Sequence, residues 1–130
     1  MNPEARIAEL GLTLPNPPVA LGTGEQTRLD VMVKNLSDIA WFARERSASA
    51  FQLQLGNHWL DENGAMLIND DGRAALPYDI SPGETANLPL VVNAPRSPGK
   101  YILEVDMLQE GVSWFGLRGS NTLRVPVIIR

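Results

Sequence analysis

The stretch Ser97-Pro98-Gly99-Lys100-Tyr101-Ile102-Leu103-Glu104-Val105-Asp106-Met107-Leu108-Gln109-Glu110 decides how the chain is read. A Pro-Gly turn launches it, and large apolar side chains then recur at every second position, Tyr101, Leu103, Val105 and Met107. Successive side chains on a strand point to opposite faces. The alternation therefore sets those four against a core and turns Ile102, Glu104, Asp106, Leu108 and Glu110 the other way.

Working outward, the same period returns in several segments. Leu29, Val31 and Val33 oppose Arg28, Asp30, Met32 and Lys34. Phe51, Leu53, Leu55 and, if no bulge intervenes, Trp59 share one face, and the run ends in Asp61-Glu62-Asn63-Gly64. Its final Asn-Gly is a hairpin signal, with residues 65–68 as the return strand. Ala86, Leu88, Leu90 and Val92 alternate around Pro89, which has no amide proton and so belongs on an edge strand or at an outward position. Leu123, Val125, Val127 and Ile129 close the chain. Ten prolines and eleven glycines interrupt the sequence at short intervals, which leaves no room for long helices. Only residues 3–10 could form a helical turn, and they read better as a lead-in to the first strand. Residues 38–50 form the longest irregular connection, placed at one end of the fold. The expected class is all-β, an antiparallel β-sandwich of seven to nine short strands.

Composition bounds the rest. A chain of 130 residues, 44% hydrophobic and 20% charged, suits one globular domain and is wrong for a disordered one. We expect a single domain over 1–130, with 1–25 as lead-in and first strand and 26–130 as the main sandwich. The absence of cysteine excludes disulfides, thiolate metal sites and a cysteine nucleophile. A net charge of -4 with scattered basic residues argues against nucleic acid. No segment approaches the roughly 20 apolar residues that span a bilayer. Glu4 and Glu9 break up an N-terminus that has no continuous apolar run, so no secretory signal is read there and a cytoplasmic location is expected.

Ser81-Pro82-Gly83-Glu84, Asn93-Ala94-Pro95 and the second Pro-Gly turn before Tyr101 together resemble the late half of an immunoglobulin-like sandwich. Tyr101 is similar to the tyrosine-corner residue of such domains and Trp59 to their buried tryptophan, although the cysteine pair of antibody domains is absent. The longer series Val33-Lys34-Asn35, Trp41, 55–64, 72–77 and 106–115 resembles one family more closely. This is the immunoglobulin-like accessory module found beside bacterial glycosyltransferase and SAM-dependent methyltransferase domains of surface-polysaccharide synthesis. The resemblance implies a non-catalytic module with those enzyme domains as neighbours and glycan as ligand class.

Catalytic chemistry finds little support in the residues. Asp106 and Glu110 share a strand face but lie about 13 Å apart along it, too far to act on one ion or one glycosidic bond. His58 is the sole histidine, so a zinc site would be mostly carboxylate. With Asp61, Asp106 and Glu110 it reads as solvent-facing or hydrogen-bonded structure. No serine lies in a Gly-x-Ser-x-Gly elbow, and Gly22-Thr23-Gly24 lacks the Lys-Ser/Thr of a phosphate loop. No catalytic residue, metal or cofactor is expected.

The aromatic residues remain. Trp59, in phase with Leu53 and Leu55, is expected to be structural, as is Tyr101; Trp41 could plug one end of the sandwich. Trp114 and Phe115 cannot both face inward on a regular strand, and Gly111 ahead of them leaves open which one turns out. The candidate ligand-binding set is Trp114, Phe115 and Trp41, with Arg73, Arg118 and Glu110 as polar companions. The alternative function is a structural or protein-interaction domain, docking onto a partner enzyme or self-associating as a homo-oligomer through a sheet edge such as residues 122–130. Pro126 works against pairing along the whole of that edge.

Overall fold

In the computed structural model, which describes residues 10–43, 53–109, 113–118 and 121–130, the alternating segments form the strands of two facing sheets. In chain order these are β1 (Leu10–Thr13), β2 (Ala20–Leu21), β3 (Gln26–Asn35), β4 (Leu53–Asp61), β5 (Met66–Ile68), β6 (Arg73–Ala75), β7 (Thr85–Asn93), β8 (Gly99–Gln109), β9 (Ser113–Trp114) and β10 (Leu123–Ile129). A 3-10 turn, Phe115–Arg118, follows β9. One sheet runs β1-β3-β7; the other runs β2-β10-β8-β4-β5, with β6 also beside β4 and β9 beside β8. This is an immunoglobulin-like β-sandwich.

The described residues contain more strands than the seven to nine expected, and the pairing of β10 with β2 is parallel. Strands of two or three residues, such as β2, β6 and β9, are too short to carry a period that could be read in advance. The lead-in proposed over residues 3–10 falls mostly outside the described residues, as do positions 44–50 of the long connection.

Burial follows the alternation. Val31, Val33, Leu88 and Leu90 from the first sheet meet Leu55, Trp59, Leu103, Val105 and Met107 from the second, all fully buried. Each contributes on the order of 1.5–3 kcal/mol by leaving water. Asp61 Oδ1 accepts from the backbone N–H of Asn63 and of Ala65, both at 2.9 Å, and so forms the turn into β5. Gly64 takes a φ of 88° there, which a side chain would resist. Asn35 is buried but fully used, donating from Nδ2 to the Ile39 and Ile80 carbonyls and accepting from Ser37 N and Oγ. The Tyr101 hydroxyl donates to the Ser97 carbonyl at 2.8 Å, four residues back, while its ring meets Trp59 edge-on.

Both prolines fall where a missing N–H is cheap. Pro89 lies on β7, an outer strand of its sheet. Ile128 N donates outward to the Val19 carbonyl of the β2 segment, so Pro126, two residues earlier, presents its N–H-less nitrogen toward the same open side of β10. A blunted edge of this kind discourages strand addition.

A polar joint connects the sheets. Asp71 Oδ2 accepts from Asn57 Nδ2 at 2.9 Å, Trp59 Nε1 at 3.0 Å and Asn93 N at 3.0 Å, while Oδ1 accepts from Asn93 Nδ2 at 3.1 Å. Asn57 Oδ1 in turn accepts from Gly72 N at 2.8 Å. Asn57 and Trp59 belong to β4, and Asn93 belongs to β7 in the opposite sheet. Gly72 is needed for close approach, because a Cβ there would lie 2.3 Å from the Val91 carbonyl oxygen and 2.8 Å from Asn57 Oδ1.

Removing the carboxylate strands the indole N–H and the Asn57 amide in the interior, each at about 1–3 kcal/mol. Asp71→Ala is therefore expected to lower the unfolding free energy by about 3 kcal/mol in urea titration. Gly72→Ala should cost at least as much through overpacking. A loss under about 1 kcal/mol for Asp71→Ala would show that the joint is dispensable.

Candidate functional site

The alternation turns the even-numbered face of β8 from the core, yet Glu104, Asp106 and Leu108 are buried on it. Cross-strand register explains why. Gly56 of β4 lies opposite Asp106 and His58 opposite Glu104; Arg124 of β10 is opposite Glu104, Arg73 of β6 is opposite Gly56, and Trp114 of β9 is opposite Leu108. Residues far apart in sequence thus share one outer face.

Trp114 lies across that face over Gly56. A Cβ at position 56 would meet Arg73 Nη1 at 2.7 Å and the Trp114 ring at 2.8 Å, so the absent side chain is what seats the indole. The His58 ring is tilted against Trp114 at 4.1 Å between centroids, and the Arg73 guanidinium lies 4.8 Å from the ring centroid. An ion pair with Asp70 at 2.6 Å orients Arg73. The indole remains half-buried.

Beside it lie two carboxylates in different environments. Glu104 Oε2 accepts from Thr122 Oγ1 and from Arg124 Nε, both at 2.8 Å. Its Oε1 is 3.9 Å from His58 Nε2. Among the described residues Asp106 has no ion pair; Oδ1 accepts from Met107 N at 2.7 Å and Oδ2 from Gly116 N at 2.8 Å. Burial pushes its carboxyl up to about 6. The two backbone N–H groups work against that rise, and the nearby Glu104 charge adds to it. Through Gly116, Asp106 ties the 3-10 turn onto the sheet. A Cβ at Gly116 would crowd Asp106 Oδ2 at 2.8 Å and Thr122 Cγ2 at 2.9 Å.

His58 Nδ1 makes a short hydrogen bond to the Asn69 carbonyl. A carbonyl only accepts, so Nδ1 carries the proton and Nε2 is left to face the carboxylate. Together His58, Glu104, Asp106, Trp114, Thr122 and Arg124 line an open cleft of about 550 Å³, with Met66 and Leu117 as apolar rim. Clefts of this size suit small ligands. Among the described residues, no three His, Asp or Glu side chains are grouped to hold a metal ion.

Two of the sequence-derived ligand candidates are corrected. Trp41 and Phe115 are fully buried and meet each other edge-on at 6.1 Å, so neither offers a face to a ligand. Trp41 is held there by reciprocal backbone bonds with Ile80, and Phe115 faces the core because Trp114, its chain neighbour, faces out. Trp114 and Arg73 are brought together. Glu110 lies outside the described residues, and so does the Arg118 side chain, whose backbone ends the 3-10 turn. Trp59 is core, with its indole N–H on Asp71. His58, Glu104, Asp106, Thr122 and Arg124 were not grouped as a site from sequence. The legible trace was Glu104 and Asp106, two residues apart on one strand face; their partners come from other strands.

No protein-family model matches the chain, and no curated protein matches it. Solved structures are similar in fold. The CARDB domain of a Pyrococcus furiosus protein, in complex with di-metal ions, is 16% identical with a TM-score of 0.52, covering 94% of this chain and 86% of that one. A mutant β-glucosidase from Listeria innocua in complex with laminaribiose is 14% identical with a TM-score of 0.58, covering 94% of this chain and 16% of that one. The alkylpurine DNA glycosylase of Pseudomonas fluorescens, bound to DNA containing an abasic site analog, is 11% identical with a TM-score of 0.54, covering 94% and 30%. CARDB domains are immunoglobulin-like β-sandwich modules, and the likeness extends to the fold.

Asp106 supplies a pH test. Its carboxyl holds a proton in the folded protein up to about 6, against 3.8 for the ordinary group. Between those values the native state binds more protons than the unfolded chain, so this group's contribution to stability declines as pH rises through that window. The total is about 3 kcal/mol. Asp106→Asn removes the titration. The wild-type unfolding free energy minus that of the variant, measured in urea from about pH 4 to pH 7, should decrease with pH and level off above about pH 6. A flat difference would contradict the assignment.

Proposed function

We propose that this chain is a non-catalytic accessory module that binds carbohydrate in the outer-face cleft. In this reading it serves bacterial surface-polysaccharide synthesis of the O-antigen type, in the cytoplasm, beside a glycosyltransferase or methyltransferase domain. The observation that carries the binding role is the half-buried Trp114 ring, seated on Gly56 at the wall of a cleft lined by Glu104, Asp106, Thr122 and Arg124. An aromatic surface next to rigid carboxylate, hydroxyl and guanidinium groups suits a ligand with apolar ring faces and hydroxyl edges. The resemblance of residues 55–64 and 106–115 to the accessory module supplies the biosynthetic setting.

The hydrogen bonds favour binding over catalysis. Both Asp106 oxygens accept backbone N–H groups, and Glu104 Oε2 is engaged by Thr122 and Arg124. A general acid or base needs its reacting atom within reach of substrate. CARDB domains, which the fold resembles, are non-catalytic modules.

A second reading has its own observation. Val19 and Ile128 are exposed by 75% and 43%, and with Ile102 and Pro126 they border an apolar groove of about 460 Å³ on the same sheet. That surface would suit docking onto a neighbouring enzyme domain.

Trp41 and Trp59 are buried, so ligand-induced changes in tryptophan fluorescence should report on Trp114. Titration with neutral, amino and acidic oligosaccharides is expected to shift the emission, and Trp114→Ala should weaken binding about tenfold, in line with the loss of roughly 1.4 kcal/mol. An unchanged spectrum across the panel, or equal affinity in the variant, would overturn the carbohydrate reading.

A further inference from the structure

We infer that the ligand of this cleft carries a free amine, which makes its class an amino sugar if the carbohydrate reading above holds. Hydrogen-bond accounting at His58 leads there. The Asn69 carbonyl accepts from Nδ1, so the neutral ring has a lone pair on Nε2. That lone pair faces Glu104 Oε1, a second acceptor, at 3.9 Å, beyond hydrogen-bonding distance. The two side chains are 4% and 9% exposed. The nearby donors, Thr122 Oγ1 and Arg124 Nε, are directed to the other oxygen, Oε2.

Two acceptors that face each other on the wall of the cleft are served together by a donor with more than one proton. A hydroxyl has one proton and satisfies one of them. An ammonium has three, enough to bridge Nε2 and Oε1 and to reach a further acceptor. Charge points the same way: Arg124 offsets Glu104 and Asp70 offsets Arg73, while Asp106 has backbone N–H donors and, among the described residues, no ion pair. A carboxylated ligand would bring more acceptors to a wall already rich in them.

The sole histidine gives one set of imidazole signals, so ¹⁵N NMR of the full chain reads Nε2 directly. Four probes suffice: glucosamine, glucose, glucuronate and methylammonium. The free protein should show a protonated Nδ1 and a bare Nε2. Glucosamine should move the Nε2 signal and bind at least about tenfold more tightly than glucose, with glucuronate weakest. Glu104→Gln should abolish the preference for glucosamine, and the wild-type ranking stands as a test should that variant fold poorly. Equal binding of glucose and glucosamine would overturn the amine inference and leave the carbohydrate reading intact. A Nε2 response to methylammonium but to no sugar would support the amine site and overturn the carbohydrate reading. No response to either amine would overturn the inference.

Discussion

The rest of the structure depends on one carboxylate. Asp71 takes hydrogen bonds from Asn57 and Trp59 on β4 and from the backbone and side chain of Asn93 on β7, and so joins the two sheets at a point where apolar packing alone would let them slide. Hydrophobic burial is nondirectional; this joint is directional. Gly72 follows because the chain must pass against the Val91 carbonyl, where no Cβ fits.

The joint also reaches the outer face. The loop that carries Asp71 between β5 and β6 sends Asn69 to one side, where its carbonyl selects the His58 tautomer, and Arg73 to the other, where its guanidinium meets Trp114. Asp70, next to Asp71, holds Arg73 in place. Inner-face packing and outer-face chemistry are thus two consequences of one loop conformation. The opposite wall has its own anchor in Asp106, which holds the Gly116 N–H and with it the 3-10 turn. Buried carboxylates persist only where donors compensate for lost hydration. At Asp106 both donors are backbone N–H groups, so this part of the wall is fixed by the main chain.

Much of the fold was legible because period-2 patterning is a property of single strands. Tyr101 to Met107, the Asp61-to-Gly64 turn and Pro89 on an outer strand could each be read from local residues. The outward turn of one ring in the Trp114-Phe115 pair was also legible, but the choice of ring depends on β9 pairing with Leu108 and Gln109 of β8. Trp41 misled because an indole after a loop looks available until its bridge to Ile80 is known. The cleft was hidden for a related reason. His58, Glu104 and Arg124 belong to three strands, and nothing local states that their registers coincide. Asp106 and Glu110 are neighbours along the chain, while the residues that complete the cleft lie across the strand from Asp106.

Native-state hydrogen exchange of the Gly72 and Asn93 amides tests this account most directly, because their acceptors are Asn57 Oδ1 and Asp71 Oδ2. Gly72 is buried but lies outside the strands, and Asn93 is an exposed strand end, so neither amide donates to a strand ladder in the middle of a sheet. If the Asp71 joint unites the sheets, both will exchange only through global unfolding, with the same free energy as Val31 and Val105 in the core. Exchange by local opening at the two amides, with the core still protected, would contradict it.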